Sequence, residues 1–141
     1  MAKLYLSLGS NLGARRANIA SALSFLNSAF GRYEALSEIL ETKACGFEGP
    51  DFLNCVVRYE SRRRPGSVLK ICKEIERRMG RTDRPCFAED GSRIYHNRVI
   101  DIDILVYGNI RIDTPELRIP HPQVESRPFV RPLLEQVMKF D

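Results

Sequence analysis

The sequence predicts an α/β (α+β) domain of three layers, a mixed, mainly antiparallel sheet with helices on both faces. Two stretches of helical periodicity, each with a single apolar stripe, are set among shorter stretches of alternating or β-branched residues, in the order β-α-β-β-α-β-β. A length of 141 residues suits one domain, residues 1–141, large enough to bury a core without disulfide or metal staples. An apolar content of 43% and a charged content of 28% are those of an ordinary globular protein.

Residues 3–8, Lys-Leu-Tyr-Leu-Ser-Leu, alternate as a strand and stop at Gly9-Ser10-Asn11-Leu12-Gly13. A helix follows over 14–30, with Ile19, Leu23, Leu26 and Phe30 on one stripe. A glycine turn between strand and helix can present N–H groups to a phosphate, but no Gly-Lys-Ser/Thr follows, and a connecting turn is the favoured reading. Residues 32–42 alternate loosely as a strand, 43–50 form a loop by their Gly and Pro content, and 52–59 form a strand with Phe52, Asn54 and Val56 on one face. After a turn at 60–66, whose three arginines read as a solvated corner, a second helix over 67–79 turns Val68, Cys72, Ile75 and Met79 inward. Lys73 and Glu76 lie three apart on a neighbouring strip.

Residues 80–97 carry Gly80, Pro85, Gly91 and many charges without apolar periodicity, the mark of a long loop. Its place directly before a strand bearing carboxylates suggests a lid that brings cations over phosphates. The strand, within 98–108, ends at Gly108-Asn109, which predicts a hairpin into a short strand at 110–112. Prolines keep 114–122 extended, and Pro128 and Pro132 are expected to break the last helix into short pieces packed through Phe129, Val130, Leu133 and Leu134.

Chemistry concentrates in 98–108. Side chains on a strand alternate, so Asp101 and Asp103 share one face while Ile100, Ile102 and Ile104 line the other. Same-face neighbours lie only about 6–7 Å apart at Cα, so both carboxylates stay ionised comfortably only beside cations. Mg²⁺, held by one or two carboxylates and substrate phosphates, meets that need. A bare Asp-x-Asp is more often a solvated edge. Here Arg81, Arg84, Arg93, His96 and Arg98 crowd the approach, and guanidinium forks suit phosphate oxygens. Phe52 beside Asn54 offers a ring to stack on and an amide that both donates and accepts, as a flat heterocycle requires, although Asn54 could equally bond the neighbouring loop. His121 between two prolines is held in a strand-end loop, where it suits a hydrogen bond to phosphate or simple exposure.

A net charge of +4 fits polyanionic substrates and nucleic acid equally and decides nothing alone. Cys45, Cys55, Cys72 and Cys86 lack Cys-x-x-Cys spacing and read as reduced thiols of a cytoplasmic protein, and no apolar run approaches a membrane span.

Five blocks in order resemble the 6-hydroxymethyl-7,8-dihydropterin pyrophosphokinase family of folate biosynthesis: 8–13 Leu-Gly-Ser-Asn-Leu-Gly, 50–54 Pro-Asp-Phe-Leu-Asn, 98–108 Arg-Val-Ile-Asp-Ile-Asp-Ile-Leu-Val-Tyr-Gly, 117–122 Leu-Arg-Ile-Pro-His-Pro and 127–133 Arg-Pro-Phe-Val-Arg-Pro-Leu. The fold implied is similar to a ferredoxin-like plait. The reaction implied is pyrophosphate transfer from ATP, as co-substrate, to the pterin hydroxymethyl group, with AMP released. The resemblance implies two Mg²⁺ on Asp101 and Asp103, and catalytic arginines at Arg98 and Arg84, with Arg81 and Arg93 as alternatives to the second. It implies a pterin pocket of Thr42, Cys45, Phe52, Asn54, Tyr95 and Phe129, with Phe52 and Phe129 sandwiching the ring. ATP contacts would come from Lys73, Glu76, Arg98, Arg118, His121 and Arg127. No general base is evident, so positioning and metals are expected to carry the rate. The expected protein is a monomer with no nucleic-acid or membrane partner.

Two rivals belong to other classes. Another Mg-dependent nucleotidyl- or phosphotransferase would account for Gly9-Ser10 with a later Asp-x-Asp, yet roughly ninety residues separate the two elements. An RNA-binding module would need aromatics on its central strands, where this chain displays Asp101 and Asp103.

Overall fold

A computed structural model describes residues 1–43, 51–80 and 99–138, and the backbone of two short strands between the last two segments. In chain order the elements are β1 (Ala2–Ser10), α1 (Arg15–Phe30), β2 (Ala35–Leu36), β3 (Leu40–Thr42), β4 (Phe52–Ser61), α2 (Pro65–Arg78), β5 (Cys86–Phe87), β6 (Arg93–Ile94), β7 (Asp101–Tyr107), β8 (Ile112–Asp113), β9 (Arg118–Ile119), α3 (Gln123–Ser126) and α4 (Val130–Met138). β1 lies between β4 and β7, and both β2 and β3 pair with the far side of β4. The mixed sheet expected above is antiparallel at every pairing among the described residues.

The two-residue period of the strands separates two cores. Leu4, Leu6 and Leu8 of β1, Cys55, Val57 and Tyr59 of β4 and Ile102 and Ile104 of β7 face α1 and α2, where Ile19, Leu26, Val68, Cys72 and Ile75 meet them. Tyr5, Val56 and Leu105 face the other way, onto Val130, Leu133, Leu134 and Val137 of α4. The layers are therefore helix, sheet, helix. Leu105 is an extra residue: Leu6 pairs with Ile104 and Tyr5 with Val106, a bulge that returns Tyr107 to the first core. The thiols of Cys55 and Cys72 are free and buried, and burial pushes that of Cys55 up to about 12.

Four expectations are corrected. The strand expected over 32–42 is two pieces, because Ser37 takes over the ladder with its side chain. Its Oγ accepts the Val56 N–H at 2.8 Å and leaves one extra residue between the Leu36–Val57 and Leu40–Asn54 pairs. Within the loop expected over 80–97, β5 and β6 pair through Cys86–Ile94 and Phe87–Arg93, short β-favouring runs in a charged segment. The strand expected at 110–112 begins at Ile112 and pairs with β9 rather than β7, since the turn at Gly108 carries the chain past the sheet. Pro132 does not break α4, because it falls in the first helical turn, where no intrahelical acceptor awaits its missing N–H. Among the described residues no helix is long and apolar enough to cross a membrane.

Candidate active site

The site is a row of residues across the second face of the sheet, at the end that carries β1 into its turn. Asn54 of β4, Gly9 of β1 and Asp101 of β7 are direct neighbours in register, with Ser7 and Asp103 one pair further along. Asn54 and Asp101 thus stand about 10 Å apart, two strand spacings, with no side chain between them. Gly9 is the reason. A Cβ built there would lie 3.0 Å from Asn54 Oδ1 and 3.5 Å from Phe52 Cδ1, so both side chains lean over bare backbone. Asn54 is fixed from its far side: its Nδ2 donates to Thr42 Oγ1 at 2.5 Å, and Thr42 is the cross-strand partner of Phe52. The turn beyond Ser10 is tied down by Asn18, whose Nδ2 donates to Leu12 O at 2.7 Å and to Ser10 Oγ at 3.1 Å.

Asp103 meets the segment that follows β9. Gln123 Nε2 donates to Asp103 Oδ2 at 3.2 Å, and His121 Nε2 stands 4.0 Å from Oδ1. His121 is held twice, its N–H donating to Leu105 O at 2.8 Å and its Nδ1 accepting the Gln123 N–H at 3.1 Å. With Nδ1 an acceptor, the neutral ring carries its proton on Nε2, toward Asp103. Burial pushes the imidazole pKa below its usual value; Asp103 opposes this and Arg127 adds to it, so the neutral ring prevails near pH 7.

Beneath this strand lies Glu76, 1% exposed on α2. Its Oε2 accepts the Ile102 N–H at 2.8 Å. That donor lies between the two aspartates, on the edge of β7 away from β1, where no further strand supplies a carbonyl among the described residues. One oxygen of the carboxylate expected to contact the nucleotide is thus bonded to the backbone that carries Asp101 and Asp103.

Of the other expected site residues, Thr42 of β3, Phe52 of β4 and Phe129 just before α4 are half-buried, Phe129 packing against the α4 core. Lys73 is exposed on α2, as is Arg127 before α4. Arg118 of β9 pairs with Asp113 at 3.3 Å, with 60% of its side chain exposed. Cys45, Arg81, Arg84, Tyr95, His96 and Arg98 lie outside the described residues, as does the side chain of Arg93. Sequence reasoning missed Gly9 as the floor of the site and Gln123 as the partner of Asp103. The first had a signal in its glycine turn, and the second only its place two residues after His121.

The donor set fits Mg²⁺. Two half-exposed carboxylates on one face are hard oxygen ligands, and among the described residues no third His, Cys, Asp or Glu groups with them into an all-protein site. A cation that takes the rest of its shell from phosphates and water suits that arrangement.

A family model described as 7,8-dihydro-6-hydroxymethylpterin-pyrophosphokinase (HPPK) matches residues 5–139. Among curated proteins, the 2-amino-4-hydroxy-6-hydroxymethyldihydropteridine pyrophosphokinase of Porphyromonas gingivalis is 45% identical over 139 residues, covering 97% of this chain and 91% of the relative. That of Aquifex aeolicus is 40% identical over 137 residues, covering 96% of this chain and 80% of the relative. The mitochondrial folate synthesis bifunctional protein of Pisum sativum is 36% identical over 135 residues, which are 94% of this chain and 25% of that protein. With matches that run nearly from end to end, the chain belongs to the 7,8-dihydro-6-hydroxymethylpterin-pyrophosphokinase family.

Proposed function

We propose that Asp101 and Asp103 hold two Mg²⁺ ions and that Phe52, Asn54, Thr42 and Phe129, with Cys45 and Tyr95, receive the pterin. The reaction is that of the family: pyrophosphate passes from ATP to 6-hydroxymethyl-7,8-dihydropterin, giving AMP and the pterin pyrophosphate in folate biosynthesis. The observation that carries the reading is the row Asn54, Gly9, Asp101, which puts a heterocycle-recognising amide and the carboxylate pair on one face of the sheet.

Asp101 and Asp103 would hold the Mg²⁺, which would supply neutralisation of phosphate charge and a lower cost of deprotonating the substrate hydroxyl. The protein's own groups position and neutralise. Asn54, anchored by Thr42, presents Oδ1 over Gly9 to a ring N–H, and Phe52 and Phe129 stack on the ring faces. His121, neutral with its proton on Nε2, donates to a phosphate oxygen. Arg98, with Arg84 or another arginine of the preceding segment, offsets charge developing on the departing AMP, and Lys73, Arg118 and Arg127 hold the triphosphate. Glu76 supports the aspartates through Ile102. The same reading takes the protein as a cytoplasmic monomer without a nucleic-acid partner.

The test is incubation with Mg-ATP and 6-hydroxymethyl-7,8-dihydropterin, with nucleotides resolved by chromatography. AMP should appear in step with the pterin pyrophosphate, and Asp101→Ala/Asp103→Ala should lower turnover on the order of 10³-fold or more while the circular dichroism spectrum persists. Turnover within tenfold of the parent in that variant would remove the metal assignment.

A further inference from the structure

We infer that Arg15, on the opposite face of the sheet from the pterin pocket, is a positioning residue for pterin recognition: it clamps together the two strand ends that carry Thr42 and Phe52. This rests on the pterin pocket proposed above.

Arg15 opens α1 and reaches across the end of the β3–β4 ladder. Its Nη1 donates to the Asp51 main-chain oxygen at 2.8 Å, and its Nη2 meets Glu41 Oε2 at 2.8 Å. Asp51 directly precedes Phe52, and Glu41 directly precedes Thr42. Those two neighbours form the last cross-strand pair of the ladder, one pair beyond Glu41 and Leu53. β3 is three residues long and, among the described residues, pairs with β4 alone. Thr42 must nonetheless be placed to a few tenths of an ångström, because its Oγ1 fixes the Asn54 amide at 2.5 Å. One guanidinium bonded to both strand ends applies the fork geometry of arginine at the last pair of a short strand. The side chain lies among Ala14, Ile39, Glu41 and Leu53, residues of the α1 side, and acts on the pocket only through the backbone. Half of the clamp is an ion pair with Glu41, whose side chain is 53% exposed, and such pairs add little to global stability. The clamp should accordingly act on the pocket more than on the fold.

The inference is tested with Arg15→Gln, Arg15→Lys and Glu41→Gln, reading pterin affinity, affinity for a non-hydrolysable ATP analogue, kcat at saturating pterin, and Tm. Arg15→Gln is expected to weaken pterin binding about tenfold, with nucleotide affinity and kcat within twofold of the parent. Glu41→Gln, which keeps the bond to Asp51, should fall between. Arg15→Lys, which keeps the charge but loses the fork, should not restore full affinity, and it serves if the glutamine variant fails to fold. Pterin affinity within twofold of the parent in both Arg15 variants would overturn the clamp, as would equal weakening of pterin and nucleotide. Phe52→Ala and Asn54→Ala separate the two levels of argument: if they leave pterin binding intact, the pocket is misplaced, and if they abolish it while Arg15 is silent, only the clamp fails.

Discussion

The two faces of β1 show how one strand serves two purposes. Toward α1 and α2 it presents Leu4, Leu6 and Leu8, each 0% exposed, side chains of one size against one continuous core. Toward the other face it presents Tyr5, Ser7 and Gly9, side chains that shrink step by step from the part covered by α4 toward the turn. The neighbouring strands follow the same gradient. β4 runs from Val56 to Asn54, and β7 from Leu105 to Asp103 and Asp101. One face is all core; the other is core at one end and carries Gly9, Asn54 and the two aspartates at the other. A period of two is common to both, so the period identifies the faces and the residue sizes identify the site.

If the two faces are coupled, the coupling should pass through Glu76, which reaches from the helix side to the backbone between the aspartates. Among single substitutions on the helix-covered side of the sheet it should have the largest effect on turnover. Glu76→Ala leaves the Ile102 N–H without its acceptor, at a cost of about 1–3 kcal/mol in stability. It should lower kcat at least tenfold and raise the Mg²⁺ concentration needed for half-maximal rate, because the strand edge that orders both ligands is freed. Glu76→Gln keeps an acceptor oxygen and should retain more of both. Equal Mg²⁺ dependence in parent and Glu76→Ala would show that the two faces act independently.

Gly9→Ala sharpens the comparison on the face of Asn54 and Asp101 alone. The added methyl would sit 3.0 Å from Asn54 Oδ1, and Asn54 cannot easily withdraw while Thr42 holds its Nδ2. We expect about a tenfold loss of pterin affinity with nucleotide affinity unchanged, measured by titration calorimetry. An unchanged pterin affinity would mean that the ring does not lie over Gly9.

What the sequence made legible, and what it left hidden, follows the same division. Ile102 and Ile104 against Asp101 and Asp103 were readable because alternation is local, and the stripes of α1 and α2 were readable for the same reason. Ser37 was not, because its hydroxyl replaces a ladder carbonyl only once β4 lies beside it. Gln123 and Glu76 act on β7 from 20 and 26 residues away, and no short-range pattern marks such contacts. Gly9 is harder still, since its contribution is an absent side chain whose value depends on Asn54 and Asp101 on either side. The family blocks identified the reaction without that geometry, while the roles of Gly9, Gln123 and Glu76 required it.

The smallest effect on chemistry is expected from the most buried substitution. Leu26 of α1 is 0% exposed in the core on the helix-covered face, with no polar contact to Asp101, Asp103 or Asn54. Leu26→Ala removes three carbons from a close-packed site and should cost about 2–5 kcal/mol of unfolding free energy, depending on how far α1 settles into the cavity. Denaturant titration should show that loss. Turnover per folded molecule, corrected for the unfolded fraction, should stay within twofold of the parent, because the site is built on the opposite face and supported there by Thr42, Gln123 and His121. A fall in kcat well beyond the folded fraction would mean that the α1 core sets the position of Gly9 between its two neighbours, and the two faces would then have to be treated as one mechanical unit.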